Sequence, residues 1–318
     1  MWKIASSLFL GLTLLGPVAN AQFNRQEVFA FESAMMSPKE FLAGEKGTTV
    51  TLAGYLRLPD ATKKNPVVIL FHGVEGLGGA GGQVQEWSRV LNEAGIGTLT
   101  VDSFSGRGVA TMADAAKVSP ISRVVDAYRA LELLAKHPLV DANKIAVMGF
   151  SHGGPAALYS SMVRFQKMHG KPDLRFAAHI PVYALCIATY QEDEVLDRRP
   201  ILLLHGTADD WVPIGPCREY VARVTKTGMN VRLIEYAHAH HLFDAPGLRE
   251  PVRLPQAVNP RNCRVAEADG GALVNAATKQ PFSSSDPCFE KGATVHYNEV
   301  AAKKVHEDVK VFLTEVMR

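Results

Sequence analysis

The sequence predicts an α/β protein built on a mostly parallel central sheet with helices on both faces. From Thr49 onward, short apolar runs alternate with longer amphipathic stretches, as expected of strands that each need a covering helix. One run passes directly through Gly149-Phe150-Ser151-His152-Gly153 into a helical stretch, the setting of a sharp turn that lifts a serine into a cleft. Two later runs are followed closely by an acidic residue and by a histidine.

The first residues read as an export signal. Lys3 supplies a positive start, residues 4–18 are uncharged and rich in Leu, and Ala19-Asn20-Ala21 gives a small-x-small cleavage pattern. Residues 1–21 are therefore expected to be removed, leaving a periplasmic or extracellular chain that begins near Gln22. The apolar stretch is short for a spanning helix and is broken by Gly11, Gly16 and Pro17, so no stable membrane insertion is expected after cleavage.

Residues 22–318 are expected to form one domain. Strands are predicted at 66–71, 96–101, 144–150, 176–182, 200–204 and 231–236, with helices at 83–94, 121–135, 156–163 and 218–227. A closing helix is predicted at 298–316, with Val300, Val305, Val309, Phe312 and Leu313 on its inner side. Residues 244–296 break the rhythm, being rich in Pro, Gly, Asn and Ser. So long a connection without structure is unusual, and we read it as a pinned excursion near the rim of the site.

Composition narrows the function. The chain is 47% hydrophobic and 21% charged, ordinary for a globular protein. Loss of Lys3 with the signal takes the formal charge from +2 to +1. With no basic run, nucleic acid is not expected as a partner. The four cysteines, Cys186, Cys217, Cys263 and Cys288, suit two disulfides in an exported chain. Their spacing suggests Cys186–Cys217 and Cys263–Cys288. No Cys or His spacing points to a metal, and no cofactor is expected.

A serine hydroxyl needs a base to take its proton, and the base needs a carboxylate to orient it. The run Leu204-His205-Gly206-Thr207-Ala208-Asp209-Asp210 carries an acid just past a strand end, and Tyr236-Ala237-His238-Ala239-His240-His241 places histidine after the last strand. Serine, acid and histidine thus follow one another in the chain order used by one fold with a nucleophile elbow.

Here the chain resembles the dienelactone hydrolase family of α/β-hydrolases, from about Thr49 to Phe243 and again in the closing helix. Gly206, Asp209, Val212 and Pro213 match the family's Gly-x-x-Asp-x-x-Val-Pro pattern, which selects Asp209 over Asp210. Tyr236, His241 and Phe243 match a Tyr with His five residues later and x-Phe beyond, which selects His241 over His238 and His240. The resemblance implies a triad of Ser151, Asp209 and His241 cleaving small-molecule esters or lactones. It also implies an oxyanion hole from the backbone N–H groups of Val74 and His152. The founding enzymes use cysteine where this chain has Ser151, and a glutamate where it has Gly73. Both differences point away from true dienelactone cleavage and toward serine esterases on the same frame. Glu75, Arg107, Tyr183 and Trp211 are candidates to line the substrate pocket, with an ion pair to Asp102 the rival role for Arg107.

Other classes compete with this reading. Gly76-Leu77-Gly78-Gly79-Ala80-Gly81 satisfies G-x-G-x-x-G with Asp102 beyond it, but His72 to Glu75 separate it from the strand. A peptidase or acyltransferase would share the triad, and a non-catalytic binding protein would share the fold.

Overall fold

The computed structural model describes residues 25–318; the export signal read at 1–21 lies outside them. The described chain opens with β1 (Arg25–Met35) and β2 (Thr48–Leu58), which pair antiparallel along their whole length. Burial alternates along much of both strands, so neither is buried on both faces like the later strands. Between them α1 (Pro38–Leu42) is started by a capping box in which Ser37 and Glu40 satisfy each other's main-chain N–H groups. Next come β3 (Asn65–Phe71), α2 (Gln83–Glu93), β4 (Gly97–Asp102), α3 (Arg123–Ala135) and β5 (Val140–Phe150). They are followed by α4 (Gly154–Tyr159), α5 (Val163–His169), β6 (His179–Val182), β7 (Ala188–Thr189), β8 (Ile201–Gly206), α6 (Gly215–Val224) and β9 (Val231–Tyr236). Finally the chain forms β10 (Val252–Asn259), β11 (Val265–Glu267), β12 (Leu273–Asn275), β13 (Glu290–Val295) and α7 (Glu299–Val316).

The main sheet has eight strands in the order β1-β2-β4-β3-β5-β6-β8-β9, parallel from β4 through to β9. Side chains alternate across a strand, and β3 divides accordingly. Val67, Ile69 and Phe71 pack into a core with α3, α4, α5 and α6, whereas Val68 and Leu70 pack into a second core with α2 and α7. Each fully buried side chain of this kind contributes roughly 1.5–3 kcal/mol, so the two cores hold the strand ends rigidly. Because β3, β5, β6, β8 and β9 run parallel, the loops that leave them open at one edge of the sheet. No helix among the described residues is long and apolar enough to cross a membrane.

Two helical expectations need correction. The helix read at 156–163 stops at Tyr159, and a separate α5 begins at Val163. Ser160 and Ser161 turn their hydroxyls back onto the carbonyls of Ala157 and Leu158, and Met162 bridges to Leu196. Such local side-chain bonds compete with helix propagation. In α7, Val300 is 80% exposed while Val305, Val309, Phe312 and Leu313 are buried. At about 3.6 residues per turn, position 300 falls opposite the apolar seam.

The excursion has structure of its own. β10 pairs antiparallel with β13, and β11 lies between β12 and β7. Disulfides Cys186–Cys217 and Cys263–Cys288 flank the β7–β11 contact. The excursion is also tied to two loops of the sheet edge. Asp210 accepts hydrogen bonds from the Thr294 main chain at 2.7 Å and from Arg253 at 2.8 Å, and the His296 N–H donates to the His241 carbonyl at 3.3 Å.

Candidate active site

β5 delivers the chain to Ser151, whose φ of +50° lies in the left-handed region. A non-glycine residue held there costs on the order of 1 kcal/mol or more, so surrounding packing must impose the turn. The flanking glycines explain how. A Cβ on Gly149 would stand 2.1 Å from the Gly153 carbonyl oxygen, and one on Gly153 would stand 2.5 Å from the carbonyl oxygens of Phe71 and His72. The absence of both side chains lets the turn close and brings it against the loop after β3.

Asp209 lies in the loop after β8. Its Oδ1 accepts the main-chain N–H groups of Trp211 at 3.0 Å and Val212 at 2.8 Å, which leaves Oδ2 to accept from His241 Nδ1 at 2.6 Å. Burial opposes its ionisation, but the charge and hydrogen bonds of His241 and His205 prevail and hold the carboxyl below the usual carboxylate range. His241 follows β9, and its Nε2 lies 2.9 Å from Ser151 Oγ. One tautomer satisfies both contacts: Nδ1–H donates to Asp209, and Nε2 accepts the Ser151 hydroxyl proton. The imidazole is enclosed, with the rings of Tyr183 and Trp211 centred 4.6 and 5.1 Å away. Ser151 is 6% exposed and His241 1%, so both side chains are almost wholly enclosed.

The model of the dienelactone hydrolase family matches residues 52–317. The chain belongs to the dienelactone hydrolase family. No curated protein sequence matches it. Solved structures extend the likeness of fold at low identity. A dienelactone hydrolase-like promiscuous phosphotriesterase from metagenomic libraries is 15% identical, with a TM-score of 0.55 over 92% of this chain and 99% of that one. Propionate-bound esterase 2 of Thermogutta terrifontis is 19% identical, with a TM-score of 0.52 over 83% of this chain and 89% of that one. The same esterase phosphorylated by paraoxon gives a TM-score of 0.51 at 20% identity, over 70% and 86% of the two chains. As a dienelactone hydrolase family member, the chain is an α/β-hydrolase that acts on ester bonds.

Family membership makes the place of the missing glutamate informative. The founding enzymes carry it where this chain has Gly73. Here the Glu75 carboxylate folds back into that space, with its oxygens 2.5 and 2.6 Å from where a Cβ on Gly73 would stand. The Gly73 N–H donates to Glu75 Oε1 at 3.2 Å. Burial raises the Glu75 carboxyl above its ordinary value, against the opposing pull of the main chain, His241 and Arg123.

Two pocket candidates take other roles. Arg107 is buried in a two-pronged ion pair with Asp126 at 2.9 and 2.7 Å, and also donates to the carbonyls of Ser103 and Ala34. It is neither open to substrate nor paired with Asp102, whose carboxylate accepts the N–H groups of Phe104 and Ser105. That also occupies the acid of the dinucleotide-type pattern, while Gly81 packs against the Gly247 backbone. Tyr183 is fully buried, and its hydroxyl donates to Asp244 at 2.8 Å, so only its ring borders His241. Trp211 lies beside His241 but sends its indole N–H to the Val258 carbonyl at 3.0 Å. The sequence reading missed Asp244, which also accepts from Trp87 at 2.6 Å and Gln83 at 2.8 Å. An acid within the apolar run Leu242-Phe243-Asp244-Ala245 was the available signal. A cavity of about 700 Å³ beside β1, α3 and α5 includes none of these residues.

Proposed function

We propose that the protein is a serine esterase that cleaves carboxylic esters or lactones through an acyl-enzyme, with Ser151 as nucleophile, His241 as base and Asp209 as orienting acid. The observation that carries this reading is the unbroken chain of contacts from Asp209 to His241 at 2.6 Å and on to Ser151 at 2.9 Å. His241 takes the Ser151 proton as Oγ attacks the carbonyl carbon, and Asp209 stabilises the imidazolium that forms. The backbone N–H groups of Val74 and His152 receive the carbonyl oxygen as it becomes negative. Gly153 packs against the Phe71 and His72 carbonyls, which supports this by setting the two donor loops side by side. Each such donor is worth about 3 kcal/mol of barrier. The tetrahedral intermediate then collapses, and the alcohol leaves with the proton from His241. Water repeats the sequence to free the acid.

The near-complete burial of Ser151 and His241 favours small acyl groups. We further propose that residues 22–318 act as one exported domain after loss of 1–21. Its two disulfides support an oxidising compartment. The test is labelling by a fluorophosphonate, with hydrolysis of short p-nitrophenyl esters followed in parallel, for wild type and Ser151→Ala. Label and turnover lost together in the variant are expected. An unlabelled but folded wild type overturns the proposal.

A further inference from the structure

Arg123 opens α3 at the sheet edge and is completely buried. A buried guanidinium ordinarily requires a carboxylate, yet the nearest acid on its own helix, Asp126, is committed to Arg107 and Ser33. Among the described residues, Arg123 instead donates from Nη1 to Nδ1 of His152 at 3.1 Å, while its Nε and Nη2 have no partner. The faces of Phe71 and Phe104 lie 5.6 and 5.3 Å from its Cζ, an arrangement that holds a cation without neutralising it.

No carboxylate among the described residues is hydrogen-bonded to that charge. His152 accepts at Nδ1 and is hydrogen-bonded to the Val118 carbonyl, so its ring is tied at both ends in the neutral form. His72 donates from Nδ1 to the Gly73 carbonyl at 2.7 Å and accepts the Ser103 N–H at Nε2, and it is neutral too. Burial first, then the Arg123 charge, pushes both imidazoles well below their ordinary value. Burial also lowers the guanidinium itself to about 10. Of the other charged groups facing it, Arg107 and Asp126 offset each other, while Asp102, bound to the N–H groups of its own loop, and Glu75 attract the guanidinium without forming an ion pair with it.

We propose that Arg123 is a positioning residue, a buried cation that fixes His152 and lends positive charge to the oxyanion hole formed by the His152 N–H. This rests on the triad reading above, because it gives that N–H its role. The guanidinium holds the side chain of His152, the residue that follows Ser151, and is buried where water does not screen its charge.

The test uses a short-chain alkyl trifluoromethyl ketone. Ser151 Oγ adds to its carbonyl carbon, the serine proton passes to His241, and the carbonyl oxygen becomes the hemiketal oxyanion. Its pKa is read by fluorine NMR beside kcat and KM for a p-nitrophenyl ester. Arg123→Met and Arg123→Gln are expected to raise the hemiketal pKa by about one unit or more and to lower kcat about tenfold or more. KM should stay within about threefold. Arg123→Lys, which keeps the charge, should retain most of both properties. If the Met variant does not fold, the Gln variant, which keeps an amide donor for Nδ1, carries the same test. A purely structural Arg123 would lower the melting temperature and leave the hemiketal pKa unchanged, which overturns the proposal. A Lys variant that falls as far as Met overturns the role of charge. A folded wild type that forms no adduct overturns the triad reading and this proposal with it.

Discussion

Substituting Asp209→Asn separates orientation from charge at nearly constant volume. The retained carbonyl oxygen is expected to stay on the N–H groups of Trp211 and Val212, now 3.0 and 2.8 Å from Oδ1. The new NH2 then faces Nδ1 of His241, where Oδ2 now stands at 2.6 Å. Two donors cannot share that contact, so the ring proton moves to Nε2, the nitrogen 2.9 Å from Ser151 Oγ. An Nε2–H cannot take the serine proton. The same tautomer inversion in another serine hydrolase costs about 10⁴ in kcat, or about 5.5 kcal/mol at about 1.4 per tenfold. The assay is steady-state hydrolysis of p-nitrophenyl acetate, with a thermal melt to establish folding. Asp210→Asn is the control, because Asp210 faces Thr294 and Arg253 and should keep kcat within about threefold. A folded Asp209→Asn enzyme that retains more than about a tenth of wild-type kcat would refute the orienting role. An Asp210→Asn enzyme equally impaired would refute the choice between the two acids.

The perturbed carboxyls make opposite predictions for stability against pH. Asp209 is lowered by folding, so its contribution is complete above an unfolded carboxyl's roughly 4 and is lost as pH falls through the lower folded value. Urea melts should therefore show wild type losing its advantage over Asp209→Asn as pH drops from 5 toward 2. Glu75 is raised, so its contribution is present below about 4 and disappears as pH rises through the folded value. Glu75→Gln should consequently be more stable than wild type at pH 8, and the gap should vanish in acid. Arg107→Ala strands buried Asp126 and should cost about 3–5 kcal/mol by denaturant melt, without altering the preference between neutral and anionic esters. Paired Cys263→Ala and Cys288→Ala substitutions open a loop of 25 residues and should cost about 3 kcal/mol in the same assay.

Much of the fold was legible because parallel strands buried on both faces leave continuous apolar runs, as in Val67 to Phe71 and Ile201 to Leu204. The antiparallel β1 and β2 escaped because only one position in two needs to be apolar there. The elbow, the acid and the histidine were legible because each sits just beyond such a run, although choosing Asp209 and His241 among their neighbours required family patterns. Arg107 shows the limit of that approach. Its loop suggested a substrate contact, whereas its partner Asp126 lies on the buried side of α3, a pairing across distant elements that local spacing does not encode. The same face carries Arg123. Two charged residues, Arg123 and Asp126, on the apolar stripe of one helix were the signal that buried ionic chemistry lay beneath the site.

Backbone strain carries the same information in another form. Of the non-glycine residues with positive φ among those described, Ser151, Tyr183, His238 and Leu242 all follow the ends of β5, β6 and β9 at the sheet edge that carries Ser151 and His241. Local preference argues against each of these conformations, so tertiary contacts must hold them. Those contacts can be named: Gly149 and Gly153 let the chain close around Ser151, Asp244 anchors the Tyr183 hydroxyl, and Thr207 Oγ1 accepts the His238 N–H at 3.0 Å. The excursion adds its hydrogen bond to the His241 carbonyl, next to Leu242. His241 is thus fixed from the sheet on one side and from a disulfide-stapled segment on the other. Loosening that staple should therefore reach kcat through His241 before the central sheet unfolds, and a loss of turnover at temperatures below the melt of a Cys263→Ala, Cys288→Ala enzyme would be its signature. Turnover and folding lost together would mean that the staple serves only global stability.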